Sequence, residues 1–273
     1  TNLRSIIYSK TPLFKSFNNN NIIETECLLG ENFLVTKTQN EYSFGKLLTD
    51  NYTGWVETNA LGKKSETTHR VITLSTNIYL EKTPKSVVLK GLSLGSELYV
   101  RRCEQEWAQV LISNNSQIIK AYVPKNHLSR KSFKNHKWTQ IGTAYLNTPY
   151  VWGGRTYRGI DCSALLQLSM KTIGINLPRN TEDQINFMNV SNDFKEVSIT
   201  NQKNFNEGLI LFWLGHVGFI NKKNTLLHAS AFHMKVVEEP IDVTLKRFKG
   251  KGIPLLKIFI LNSKYKKFFN FLF

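Results

Sequence analysis

Cysteine is scarce. Three of them, Cys27, Cys103 and Cys162, are spread over 273 residues, too few and too scattered for a disulfide framework or a metal site. At least one thiol must stay unpaired within the chain. Proline (7) and glycine (16) are also modest beside 41 % hydrophobic and 12 % aromatic residues, which excludes collagenous, low-complexity and disordered classes. No window of about 18 apolar residues is present, so no transmembrane segment is expected. Thr1 to Lys10 mixes Arg4, Ser5, Ser9 and Lys10 and lacks the apolar stretch of a signal peptide. A cytoplasmic location is therefore expected, with a periplasmic or secreted one the alternative if a leader has been removed.

Acidic residues are outnumbered, 20 Asp+Glu against 36 Lys+Arg, for a formal charge of +16. Such an excess attracts nucleic acid, anionic membranes or acidic substrates. Asn and Lys, 27 each, run from end to end without clustering, and no recognition helix, RNA-binding motif or zinc finger accompanies them. The spread reads as general composition, and no nucleic-acid partner is expected.

The length implies two or three domains. A weak internal repeat appears at a spacing of 65: Gly30 to Val35 matches Gly95 to Val100, and Glu41-Tyr42 matches Glu106-Trp107. After two extra residues, Gly54-Trp55-Val56 matches Ala121-Tyr122-Val123 and Leu61 matches Leu128. Each unit is a series of short segments rich in β-branched and aromatic residues between turn clusters such as Asn18 to Asn21, so each reads as a small all-β barrel. These occupy residues 1–63 and 68–130.

The texture changes from His136. His136 to Asn147 reads as a helix with Ile141, Ala144 and Tyr145 on one face, and Pro149 to Gly159 as a glycine-rich loop. Ser163 to Thr172 has helical spacing with Gly174 placed to end it, and Thr181-Glu182-Asp183-Gln184 has the form of a capping box. Gly208 to Trp213, His216 to Asn221, Thr225 to Ser230 and Leu256 to Leu261 read as antiparallel strands. Helices followed by strands make residues 132–262 an α+β domain.

Cys162 stands where the loop becomes a helix, and a thiol there feels the positive end of the helix dipole, which favours thiolate. Taken alone, a buried structural cysteine is the commoner outcome. His216 opens one strand and His228 lies on the next, so adjacent antiparallel strands can bring them side by side, one as base and the other as its orienter. A lone histidine on an apolar strand is usually a core residue; two with a helix-terminal cysteine fit the logic of a thiol hydrolase.

Pro149-Tyr150-Val151-Trp152-Gly153-Gly154, Asp161-Cys162-Ser163, Gly215-His216-Val217-Gly218 and Leu227-His228-Ala229 resemble, in order and spacing, the motifs of NlpC-type papain-like cell-wall peptidases. The two β units resemble the bacterial SH3-type domains of the dipeptidyl-peptidase VI branch. The resemblance implies two SH3-like barrels followed by a papain-like α+β domain. It also implies cleavage between γ-D-glutamate and a diamino acid, diaminopimelate or lysine, in murein peptides with a free N-terminal L-alanine. By the same resemblance Cys162 is the nucleophile, His216 the base and then acid, His228 the orienting member and Tyr150 a donor at the oxyanion site. Asp161 and Ser163 are expected to hold the substrate amine, and Trp152 and Thr181 to line its pocket. Glu31 and Trp55 are expected to wall the cleft from the first barrel, with ordinary barrel turn and core positions as the competing reading. Ala164 stands where the family usually has Gly, Asn180-Thr181 where it commonly has Asp-Ser, and Leu209 where an aspartate is usual; none of these touches the triad. The rival functions are a murein or protein binding module with an inactive remnant, and an amidase on the same triad.

The final segment, 263–273, holds aromatics among lysines. Its composition suits weak contact with an anionic membrane surface, and packing of Phe268, Phe269 and Phe271 on the domain is the alternative.

Overall fold

The computed structural model describes residues 2–16, 22–114, 117–133, 138–199 and 204–262. The Asn18 to Asn21 cluster, His136 and the 263–273 tail lie outside the described residues. The chain divides into two compact units, Thr1–Phe133 with Trp152–Tyr157, and Lys134–Val151 with Arg158–Phe273.

The first unit holds the repeat. Between Leu3 and Lys63 seven strands form one antiparallel sheet around Ile6, Leu13, Cys27, Phe33, Leu47 and Val56. Its Tyr42–Leu47 strand alternates between partly and fully buried residues, as period-two patterning requires. The second copy, between His69 and Arg130, uses two sheets around Val71, Ile78, Leu92, Val110, Ala121 and Val123. The turns repeat as the residues do. Gly30 and Gly95 have φ of +83° and +88°, and Asn40 and Gln105 have φ of 52° and 50°, so the same positions adopt the left-handed conformation in both copies. A Cβ on Gly30 would also come 2.1 Å from the Glu97 carbonyl oxygen, which makes glycine doubly necessary there. Each copy ends in a short 3₁₀ turn, Thr58–Ala60 and Lys125–His127, leading into a final strand.

The second unit is an antiparallel six-stranded sheet in the order Phe194–Glu196, Leu255–Leu261, Ile210–Trp213, His216–Lys222, Thr225–Ser230, Lys235–Pro240. Four helices accompany it among the described residues: α1 (Trp138–Thr143), α2 (Cys162–Lys171), α3 (Thr181–Val190) and α4 (Ile241–Gly250). The three central strands are buried almost throughout, because both faces of the sheet are covered. On one face Phe219 and Leu227 press on Gly142 of α1, where a Cβ would stand 2.4 Å from the Phe219 ring. On the other, Leu211, Trp213, Ile220, Leu226 and Ile258 meet Ile241, Leu245 and Phe248 of α4.

Every residue of α2 is buried. Full burial of side chains such as Leu165, Leu166, Leu168 and Met170 contributes roughly 1.5–3 kcal/mol each, which fixes the helix that presents Cys162.

Two local expectations need correction. The buried face of α1 is Trp138, Thr139 and Gly142, continued by Tyr145, while Ala144 is exposed; Trp138 meets Phe219 in a tilted ring contact at 4.8 Å. The capping box is not formed either. Asn180 is the N-cap of α3, without a side-chain cap bond, and Thr181 is already helical. Gln184 instead donates to the Ser163 and Pro178 carbonyls at 3.0 and 2.9 Å, because satisfying buried carbonyls is worth more than closing an exposed cap.

Candidate active site

Asp161 ends the loop in extended conformation and caps α2, its Oδ1 accepting the Ala164 N–H at 2.9 Å. Cys162 follows as the first helical residue and is buried. Its sulfur accepts backbone N–H bonds from Val217 and Ser163, so it lies beside the strand that begins at His216. The thiolate expected from the helix terminus is not the resting form. Burial first, then the Asp161 charge, push the thiol up to about 12, against the two backbone donors and Arg179. A helix terminus shifts a pKa less than complete removal from water does.

His216 follows Gly215, whose φ of +69° turns the chain out of the Ile210–Trp213 strand. Its ring stacks on Phe248 of α4 at 5.3 Å, and its Nε2 lies 2.8 Å from Nδ1 of His228. The strand register explains the pairing: Phe219 faces Leu227, which sets His228 across from Gly218, one diagonal step from His216. Burial, with His228 as the next cause, holds His216 well below the usual imidazole range, and burial likewise lowers His228. Burial thus opposes charge on the thiol and on both imidazoles.

Gly218 makes the diagonal possible, since a Cβ there would stand 2.9 Å from Cβ of His228 and 3.0 Å from Leu226. Gly218→Ala is therefore expected to destabilise the protein by about 1–3 kcal/mol through overpacking, measured by urea unfolding. Unchanged stability would contradict this placement of the two strands.

Tyr150 is bridged to Ile160, and its backbone N–H donates to the Met234 carbonyl at 2.9 Å. Burial, and then the neighbouring Cys162 and Asp161, raise its phenol pKa, which keeps the hydroxyl a donor.

Asp161 is held by partners within the domain. Its carboxylate is buried and receives Arg179 through both nitrogens, at 3.0 and 2.5 Å, with Ser163 Oγ at 3.2 Å. Asp161 thus anchors Arg179 and caps α2. Ser163 is tied to the same pair, accepting from Arg179 at 2.7 Å. Thr181 is half-buried on the first turn of α3.

Trp152, in the first unit, is 69 % exposed. Glu31 is 1 % exposed and forms a closed two-pronged ion pair with Arg155, at 2.9 and 3.0 Å, while also accepting the Leu28 N–H. It has the packing of a core anchor. Trp55 is buried against Phe44, with the Lys37 ammonium over its ring.

Four residues escaped the sequence reading. Glu239, on the Lys235–Pro240 strand, accepts from Nε2 of His228 at 2.9 Å; Thr244 and Arg247 of α4 donate to it at 2.8 Å each. Arg179 is the fourth. The signal for the first three was Val236-Val237 followed by Pro240 and by Ile241, Leu245 and Phe248 at helical spacing: a strand, a helix start and an apolar helix face.

An NlpC/P60 family model matches residues 147–247, and a model of the bacterial dipeptidyl-peptidase SH3 domain matches residues 13–61. The chain carries an NlpC/P60 domain behind a bacterial SH3 domain. Among curated relatives, dipeptidyl-peptidase 6 of Lysinibacillus sphaericus is 29 % identical over 107 residues, covering 38 % of this chain and 36 % of that one. The γ-D-glutamyl-L-lysine dipeptidyl-peptidase of Bacillus subtilis is 27 % identical over 177 residues, covering 60 % and 58 %. The chain thus spans between about a third and three-fifths of these relatives' lengths. An NlpC/P60 family protein from Bacillus cereus shares the fold, with a TM-score of 0.72 at 18 % identity over 88 % of this chain and 94 % of that one. Within the NlpC/P60 domain, Cys162, His216 and His228 fall on three separate elements that the fold brings together. Among the described residues no cluster suited to a metal ion is found, and no helix is long and apolar enough to cross a membrane.

Proposed function

We propose that this chain is a cysteine peptidase that hydrolyses the bond between γ-D-glutamate and a diamino acid in murein peptides bearing a free N-terminal L-alanine. The observation that carries the reading is the 2.8 Å His216–His228 contact beside a cysteine at the head of a buried helix. The names of the two relatives support the bond and the exopeptidase mode.

The chemistry is that of a thiol and an imidazole base. His216 takes the Cys162 proton as the sulfur attacks the γ-carbonyl carbon. The Tyr150 hydroxyl, held protonated, donates to the oxygen that gains charge. His216 returns the proton to the leaving amine, and the diamino acid departs. Water, deprotonated by the same imidazole, then cleaves the thioester and restores the thiol. Ser163 and Thr181 are the proposed contacts to the peptide.

A dipeptidyl-peptidase counts from a free amino end, so its site must read that amine. Acetylating the N-terminus of L-Ala-γ-D-Glu-L-Lys is expected to lower kcat/KM by about a hundredfold, the worth of a desolvated charge-assisted contact. Steady-state kinetics on the two peptides test this. Equal rates would point to an endopeptidase or amidase with an open cleft.

A further inference from the structure

We propose that Glu239 is a positioning residue that fixes the tautomers of both histidines, leaving Nδ1 as the bare nitrogen of His216. This deepens the peptidase reading above and rests on it.

The relay runs diagonally across three strands. His228 stands opposite Val237 and Glu239 opposite Leu226, so His216, His228 and Glu239 are each displaced by one diagonal step, within reach of long side chains. The contacts are 2.8 Å from His216 Nε2 to His228 Nδ1 and 2.9 Å from His228 Nε2 to Glu239 Oε1.

An ionised carboxylate can only accept. Nε2 of His228 must therefore carry its proton and donate to Glu239. In the neutral ring Nδ1 is then bare, so it accepts from Nε2–H of His216. That leaves Nδ1 of His216 without a proton, next to the strand whose Val217 N–H already reaches the Cys162 sulfur. One carboxylate sets the direction of every proton in the chain.

The ionised state of Glu239 is itself secured. Arg247 grips both oxygens, at 2.8 and 2.5 Å, and Thr244 donates at 2.8 Å. Burial alone would raise the carboxyl pKa, and Arg247, His228 and Thr244 outweigh it, holding the group well below its usual range. His233 also faces Glu239, at 3.4 Å. Around Cys162 the charged or titratable neighbours are Asp161, Arg179 and Tyr150. When His216 takes a proton, the relay delivers the excess positive charge toward Glu239, where it is neutralised.

The test uses the full chain and needs no substrate. Nitrogen-15 NMR of the two imidazoles near neutral pH reports their tautomers directly, and both rings are expected as Nε2–H. A ring protonated at Nδ1 alone would overturn the proposal. The second measurement is the rate of Cys162 alkylation by iodoacetamide against pH, followed by peptide mass spectrometry so that Cys103 does not contribute. Glu239→Gln is expected to lower the neutral-pH rate by about tenfold while leaving the alkaline limb unchanged, and Glu239→Asp to restore part of it. Circular dichroism establishes that the variants are folded. A folded Glu239→Gln protein with the wild-type alkylation profile would overturn the proposal. A peptide that goes uncut while both results hold would count against the substrate and not against the relay.

Discussion

Cys162→Ala is expected to lower kcat for peptide hydrolysis by about 10⁴-fold or more, since removing the nucleophile of a covalent mechanism leaves only the residual effect of binding and oxyanion donors. The fold should survive, because an alanine methyl fits where the sulfur sits at the head of a helix buried on all sides. Neither other cysteine has this setting. Cys27 is packed in the first barrel's core, with its thiol pKa raised by burial and then by Glu31. Cys103 is exposed, and Cys103→Ala should leave kcat within about twofold, as surface substitutions do. Kinetics on the three proteins, with thermal melting as a check on folding, decide the matter. Full activity in Cys162→Ala would end the peptidase reading.

The second large effect is on stability. Glu31→Ala is expected to destabilise the first unit by about 3–5 kcal/mol, the cost of leaving one member of a buried ion pair without its partner. Both side chains are inaccessible to solvent. Burial opposes the Arg155 charge, and Glu31, followed by Asp50, more than offsets it; without Glu31 the guanidinium keeps its charge and loses two hydrogen bonds. Arg155 also donates to the Glu26 carbonyl, and its own N–H bonds Glu26 Oε2, so the disturbance spreads to the strand carrying Glu26. The double variant Glu31→Met with Arg155→Met should cost less than Glu31→Ala alone, because neither charge is then orphaned. Urea unfolding measures both. A loss below about 1 kcal/mol for Glu31→Ala, the range of exposed pairs, would show that the pair is solvated.

Much of the NlpC/P60 domain was legible because its signals are local. A cysteine after a capping aspartate, Gly215 before His216, and continuous apolar runs each state a turn, a helix start or a doubly covered strand. The repeat was legible through Gly30 and Gly95, whose left-handed conformation depends on residue type and spacing alone. What stayed hidden depends on pairing. Glu239 is an acid in a strand, and only the register with His228 and the approach of α4 reveal it as a partner. Asp161 is another case, since sequence does not show that Arg179, eighteen residues on, returns to the same point. The setting of the thiol is partly hidden for a related reason: the helix terminus is visible in sequence, and the burial that opposes its effect is not. Glu31 shows the same limit, since its partner Arg155 lies 124 residues away.

The most direct test of the central claim is the identity of the products. Incubating the protein with L-Ala-γ-D-Glu-L-Lys and resolving the mixture by liquid chromatography and mass spectrometry should show the dipeptide L-Ala-D-Glu and free lysine from the wild type, and uncut tripeptide from Cys162→Ala. Release of alanine by cleavage at the first bond, or equal release of lysine by both proteins, would contradict the account.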